Sequence, residues 1–228
     1  MINYMNMITF KKVSNPFELE EVYKLRYKVY CEEWGFERIE DHPGEREADE
    51  FDEYSVHFIA QVGSQIIGTL RLILHSEKGF PAKKHCIIEK DLTFQDDGIA
   101  GEISRLAISK EYRKRAEDRA LYDGIIPVVS EVPQAGQERR GRQDIVCGLY
   151  KELYLESKRR GLVCWYAVMA KGLYILLYRL GMVFRPIGPE VEYHGKRRPY
   201  MANIEEIEKE VARKRPEIFK NFTNGFLQ

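Results

Sequence analysis

From Leu19 to Val29 the apolar positions recur with helical spacing, and the stripe formed by Leu19, Val22 and Val29 also carries Arg26. A helix there turns Arg26 toward the core. Its start is signalled by Asn15 as N-cap, Pro16 as first helical residue and Glu18 as the acid that closes a capping box, and it extends to about Glu33. Met7 to Val13 predicts a strand ahead of it. Tyr54 to Val62 and Gln65 to Leu74 are apolar runs joined by Gly63-Ser64, the signal of an antiparallel hairpin. After a mixed stretch around residues 75 to 100, Gly101 to Ile108 predicts another strand. Asp144 to Arg160 reads as an amphipathic helix with Ile145, Val146, Leu149 and Leu153 inward, basic residues in its last turn and Gly161 as its stop. Leu162 to Ala170 reads as a buried strand. It is followed by a helix to Leu180 that Gly181 ends, strand-like pieces near Phe184 and Val191, and a charged helix from about residue 203. Two polar stretches interrupt the pattern. Gly35 to Glu50 is a long, charged, proline-bearing loop, and residues 131–142, with two glycines and a proline, form the expected mobile loop.

With 228 residues and 44% hydrophobic content the chain can build one sizeable core, so a single domain over residues 1–228 is expected, of mixed α/β class. Thirty-six basic residues balance 36 acidic ones, so no global field draws the chain to nucleic acid or to a membrane surface. Four scattered cysteines without a C-x-x-C pair, and an N-terminus without an apolar signal segment, fit a reduced cytoplasmic compartment. The most apolar stretch, Leu162 to Tyr178, is broken by Lys171 and Gly172 and falls short of the roughly 20 residues that span a bilayer. His42, His57, His75, His85 and His194 show no ligand spacing, so no metal is expected. No phosphate-loop or nucleophile-elbow motif is present.

An inward guanidinium at Arg26 demands carboxylates, because an unpaired buried charge costs several kcal/mol even after relaxation. Glu47, Asp49 and Asp52 in one acidic hexamer, and Glu102 in the strand-like Glu102-Ile103-Ser104-Arg105-Leu106, are the candidates. Such a cluster is either an active centre or a structural ion network.

The order of elements resembles the GNAT acyltransferases, with a mixed, mostly antiparallel central sheet flanked by helices. A sharper resemblance is to the acyl-homoserine-lactone synthases. These have an Arg and aromatic residues in the first helix, an E-x-D-x-(F/Y)-D loop, an Arg in a central strand and an E-x-x-R strand. The matching positions are Arg26, Tyr30 and Trp34, then Glu47, Asp49 and Asp52, then Arg71, then Glu102 and Arg105. Those synthases usually carry Gly before the Trp, whereas here Gly35 follows Trp34, which implies a differently shaped lid over the amine substrate. The second half, including Tyr193 to Tyr200, is more similar to the N-acyl amino acid synthases and to the acyltransferases associated with exosortase systems. Both imply long acyl chains delivered by acyl carrier protein.

The resemblance implies amide formation from a thioester, which needs a neutral amine, a site for the oxyanion and a proton for the leaving thiolate. Glu102 or Glu47 is the candidate base, provided burial raises its pKa, with both as plain arginine counter-ions the alternative. Backbone N–H groups of the Glu102 to Leu106 strand are candidates for the oxyanion, if a bulge frees them. Glu102 and Arg105 would face opposite sides of a regular strand, so a joint role needs a bulge or strong twist. Tyr178, three residues before Gly181, resembles the GNAT tyrosine that protonates the thiolate; the alternative is an ordinary helix aromatic. Arg26, Tyr30, Trp34, Asp49, Asp52, Arg71, Ser104 and Arg105 are the implied substrate-binding set. Residues 109–119 contain no glycine with which to cradle a coenzyme A pyrophosphate, so acyl carrier protein is the expected donor, and no tightly bound cofactor is expected. Arg113, Lys114, Arg115 and Arg119 suit its acidic face, although such charge runs are also ordinary solvated surface. The expected activity is acyl transfer to a small amino acid or similar amine. The rivals are a homoserine-lactone synthase using S-adenosylmethionine and a non-catalytic acyl-chain or carrier-protein binding module. An acyl tunnel is expected near Ile103 to Leu106 and Val163 to Ala170.

Overall fold

A computed structural model describes residues 8–89, 97–112 and 140–223, with the side chains of residues 140–144 excepted. The described strands form an eight-stranded sheet, mixed and mostly antiparallel, in the order β1-β2-β3-β4-β5-β8-β6 with β7 on β8. The contacts divide the chain into two compact units.

The first unit holds residues 1–72, 105–114 and 129–153. Its β1 (Ile8–Lys12) lies antiparallel to β2 (Ser55–Val62), with Phe10 opposite Ala60. A two-residue turn with Gly63 at φ +58° leads into β3 (Gln65–Leu74). Helix α1 (Pro16–Tyr27) begins as expected: the Asn15 side chain accepts from the Glu18 N–H at 3.0 Å, with Pro16 in the first turn. Its stripe is buried, with Val22, Arg26 and Val29 all fully covered. The helix then widens into one π-helical segment, Lys28–Glu33, which the sequence pattern does not distinguish from a regular turn. Leu25 and Val29 pack on Ala107, with Tyr30 and Trp34 at the margin.

The second unit holds residues 73–104, 115–128 and 154–228. Strand β4 (Ala100–Ile108) enters it and pairs in parallel with β5 (Cys164–Met169), from Ala100 opposite Cys164 to Ile103 opposite Ala167. Helix α4 (Lys171–Arg179) follows and ends at Gly181, whose φ of +87° is costly for any other residue. Short strands β6 (Arg185–Pro186) and β7 (Val191–Glu192) fall where strand-like pieces are expected. The last helices are α5 (Ile204–Lys214), capped by Asn203, and α6 (Pro216–Thr223).

Three features differ from the expectations. Residues 140–142 are the first turn of helix α3 (Arg140–Arg159), so the expected loop ends before them; its residues 131–139 lie outside the described residues. Strand β8 (Lys196–Asn203) is long and pairs antiparallel with β5 over six positions, although its charged start and Pro199 argue against a strand by pattern. A one-and-a-half-turn helix, α2 (Pro81–His85), stands inside the stretch read only as mixed.

Candidate active site

In the first unit the acidic hexamer closes over α1. Arg26 donates from Nε to Glu47 and grips Asp52 with both terminal nitrogens, at 2.7 and 3.2 Å. Arg71, on β3, grips Asp49 the same way, at 2.7 and 3.0 Å, and reaches Asp52 at 2.8 Å. Arg105 donates from Nε to Glu47 at 3.0 Å, and its Nη2 lies 3.1 Å from Asp49 and from Glu37. Three guanidiniums thus interlock with four carboxylates, and bidentate geometry fixes the planar forks of Arg26 and Arg71. The hexamer's own backbone braces its acids: the Asp49 N–H donates to Asp52 at 2.7 Å and the Phe51 N–H to Asp49 at 2.9 Å. Of the carboxylates considered for Arg26, Glu47 and Asp52 are the two it grips.

The electrostatics follow from burial and pairing. Burial alone raises the Glu47 carboxyl, but Arg26 and Arg105 outweigh it and bring its pKa down to about 2. Burial likewise opposes Asp49 and Asp52, and the arginines hold both below the usual carboxylate range. The condition set for Glu47 as a base, a pKa raised toward neutrality, is therefore not met. Burial, with help from Arg26 and Arg71 and against Asp52, lowers His57 to about 4; its Nε2 lies 3.5 Å from Asp52.

Strand β4 departs from regular strand geometry at one residue. Arg105 adopts φ +50°, a left-handed conformation that costs a non-glycine residue on the order of 1–3 kcal/mol. Its guanidinium lies in the ion lattice. Tyr30 anchors the π-helical segment here, donating its hydroxyl to the Leu106 carbonyl at 2.9 Å, and the Arg105 guanidinium lies 5.6 Å from the Tyr30 ring centre. Trp34 stacks on Phe36 at 5.9 Å, and Gly35 turns between them at φ +62°.

In the second unit, Glu102 is 2% exposed and accepts the Ala82 N–H at 2.9 Å. Tyr166 is its register partner on β5. Ser104 is half-buried. Tyr178 is 48% exposed, with the Lys214 ammonium 4.5 Å from its ring centre. Arg113, Lys114, Arg115 and Arg119 lie outside the described residues. Sequence reasoning missed Glu37, His57 and the Ala82 N–H. His57 alone left a trace, as an ionisable residue inside the apolar run Val56 to Ala60. Among the described residues no group of His, Cys, Asp and Glu is arranged to hold a metal ion, and no helix is long and apolar enough to cross a membrane.

A mostly antiparallel sheet with flanking helices, and a fourth strand that pairs in parallel with the fifth, is the GNAT-like α/β fold. Residues 25–123 match the family model of the acetyltransferase (GNAT) domain. Among solved structures, the chain is similar to the CoA-dependent acyl-homoserine lactone synthase BjaI, solved with SAM and isopentyl-CoA. That match has a TM-score of 0.65 and 16% identity, and covers 97% of this chain and 90% of that one. It is also similar to the acyl-homoserine-lactone synthase LasI (TM-score 0.58, 17% identity, 87% and 89% covered). A third likeness is to FeeM, an N-acyl amino acid synthase from uncultured soil microbes (TM-score 0.57, 11% identity, 91% and 96% covered). No curated protein matches the chain.

Proposed function

We propose that this protein is an N-acyltransferase that moves a fatty acyl group from an acyl-carrier-protein thioester to the amine of a small amino acid or similar acceptor. The observation that carries the reading is the strained Arg105 within the buried ion lattice. A network kept only for stability has no need of a left-handed arginine in mid-strand, and backbone strain of this kind clusters at active sites.

Glu102, three residues before Arg105 on β4, acts as base and takes the proton of the acceptor ammonium. Glu47, held ionised by two arginines, serves as their counter-ion. Arg26, Asp49, Asp52, Arg71 and Arg105 hold the acceptor side in shape, and Tyr30, Trp34 and Ser104 line it. Tyr178 is the candidate donor of a proton to the thiolate. Backbone groups of β4 near Ser104 receive the thioester oxygen. Arg113, Lys114, Arg115 and Arg119 dock the acidic carrier.

The test is free-thiol release from acyl-carrier protein and from acyl-coenzyme A, run with a panel of amino acids, with products weighed by mass spectrometry. An acyl amino acid formed from the carrier-bound donor supports the proposal. Thiol release from neither donor with any amine would leave only a binding module. A second reading, a homoserine-lactone synthase, is favoured by the similarity to LasI and BjaI over 87% and 97% of this chain. Consumption of S-adenosylmethionine with formation of an acyl lactone would select it.

A further inference from the structure

Glu102 owes its described contact to a segment with no chemistry of its own. Helix α2 is five residues long, and its Ala82 N–H ends on Glu102 Oε2 at 2.9 Å. The next residue, Lys83, places its ammonium 2.7 Å from both oxygens of Asp97. Asp97 begins the turn Asp97–Ile99 that runs directly into β4, so it stands five residues before Glu102 on the same continuous segment. The helix is thus tied to the strand of Glu102 at two points. A third comes from β5: Phe80 packs on the Tyr166 ring at 5.6 Å, and the Lys83 ammonium lies 5.2 Å from the centre of the same ring. Tyr166 is in turn the register partner of Glu102.

We propose that α2 is a positioning clamp for Glu102, latched by the Lys83–Asp97 ion pair, which makes Lys83 and Asp97 positioning residues for deprotonation of the acceptor. The inference rests on Glu102 being the base of the acyl transfer proposed above. A base must sit within hydrogen-bond reach of the proton it removes, and misplacement by about 1 Å costs on the order of 100-fold in rate. The pair itself is ill suited to stabilising the fold. Its side chains are 33% and 22% exposed, and exposed pairs contribute little. Among the described residues, the charged and titratable groups on these elements include Lys83, Asp97, the Tyr166 phenol and Cys86, whose thiol is pushed up to about 11 by burial and then by the charge of Glu102.

A backbone N–H donated to a carboxylate favours its ionised form. Loosening the clamp therefore makes Glu102 harder to deprotonate, and the acid limb of the kcat/KM profile moves to higher pH. The experiment compares wild type, Lys83→Met, Asp97→Asn, Lys83→Arg and Glu102→Gln in thiol release, across pH, with melting midpoints recorded alongside. We expect Lys83→Met and Asp97→Asn to lower kcat about 10- to 100-fold with KM for the amine little changed, the acid limb shifted upward and the midpoint nearly unmoved. Lys83→Arg should restore both rate and profile. Wild-type kcat and an unshifted limb in the two charge-removing variants would overturn the clamp. So would a loss of rate that follows a lowered midpoint, leaves the pH limb in place and is not rescued by arginine. Glu102→Gln turning over as fast as wild type, or wild type releasing no thiol, removes the reading beneath the inference, an outcome distinct from failure of the clamp.

Discussion

Removing the Arg26 guanidinium probes the ion lattice most directly. Arg26→Ala leaves Glu47 with Arg105 alone and Asp52 with Arg71 and one backbone N–H. The side chains of Arg26 and Glu47 are wholly buried and that of Asp52 is 5% exposed, so water cannot replace the lost donors. Breaking a buried pair by deleting one partner costs about 3–5 kcal/mol. In a domain of this size that lowers the melting midpoint by about 6–20 °C. The charge of the survivors supplies most of the cost, so the double variant Arg26→Met, Glu47→Gln should cost less than the sum of its single changes, with a coupling of about 1–3 kcal/mol. Thermal and urea unfolding at pH 7 on the four proteins of that cycle measure both quantities. Strict additivity would show that Arg26 and Glu47 do not sense each other. An unchanged midpoint with unchanged turnover for Arg26→Ala would refute any role for the lattice.

Acid should unfold the protein in two stages. His57, neutral when folded with a pKa near 4, contributes its stability fully above about pH 6.5 and loses it as pH falls toward 4, whereas Glu47 contributes above about 4.5 and loses it as pH falls toward 2. Urea midpoints against pH should therefore begin to drop below about 6.5, and His57→Asn should remove that upper stage while leaving the lower one. Each methylene added to the acyl donor should raise kcat/KM about fourfold until the apolar site is full, from roughly 0.8 kcal/mol per buried methylene; equal rates for short and long chains would exclude an acyl tunnel. Reversing the charges of Arg113, Lys114 and Arg115 should slow reaction with carrier-bound donor and flatten its salt dependence while sparing acyl-pantetheine, and equal losses with both would place these residues elsewhere. Gly188→Ala should cost at least about 1–3 kcal/mol in a denaturation curve, because its new methyl would meet the Ile87 carbonyl oxygen at 2.1 Å.

Element type was legible wherever one periodicity governed a long segment. Strand β3 matches its expected bounds to the residue, and the start of α1 follows from Asn15, Pro16 and Glu18. Strand β8 was illegible because its sequence speaks against it for half its length: Lys196 to Arg198 are polar and Pro199 lacks an N–H. Its partners decide the matter. Tyr200 and Ala202 are buried, Tyr200 stacks on Tyr174 at 4.9 Å, and Pro199 keeps its carbonyl, which accepts the Ile187 N–H at 3.0 Å. Tertiary pairing with β5 overrides a weak local preference, the usual behaviour of strands.

The ion lattice was legible for a stronger reason than its motifs. A guanidinium on an apolar helical stripe must be paired, so Arg26 alone called for acids, and the hexamer supplied them, with Asp49 and Asp52 meeting two arginine forks together. Pairing arguments of this kind reach side chains but not main chain. The Ala82 donor to Glu102 is a backbone N–H, which every residue but proline carries, so no residue type at position 82 could have announced it. Glu37 was hidden for a related reason: it sits in a loop without periodicity, where only the chain path brings it to Arg105. The same limit explains Arg105. The need for a bend between Glu102 and Arg105 follows from strand alternation, but that the bend falls on the arginine itself depends on the lattice holding its guanidinium firmly enough to offset a left-handed backbone. Loosening Arg26 should therefore relax Arg105 as well.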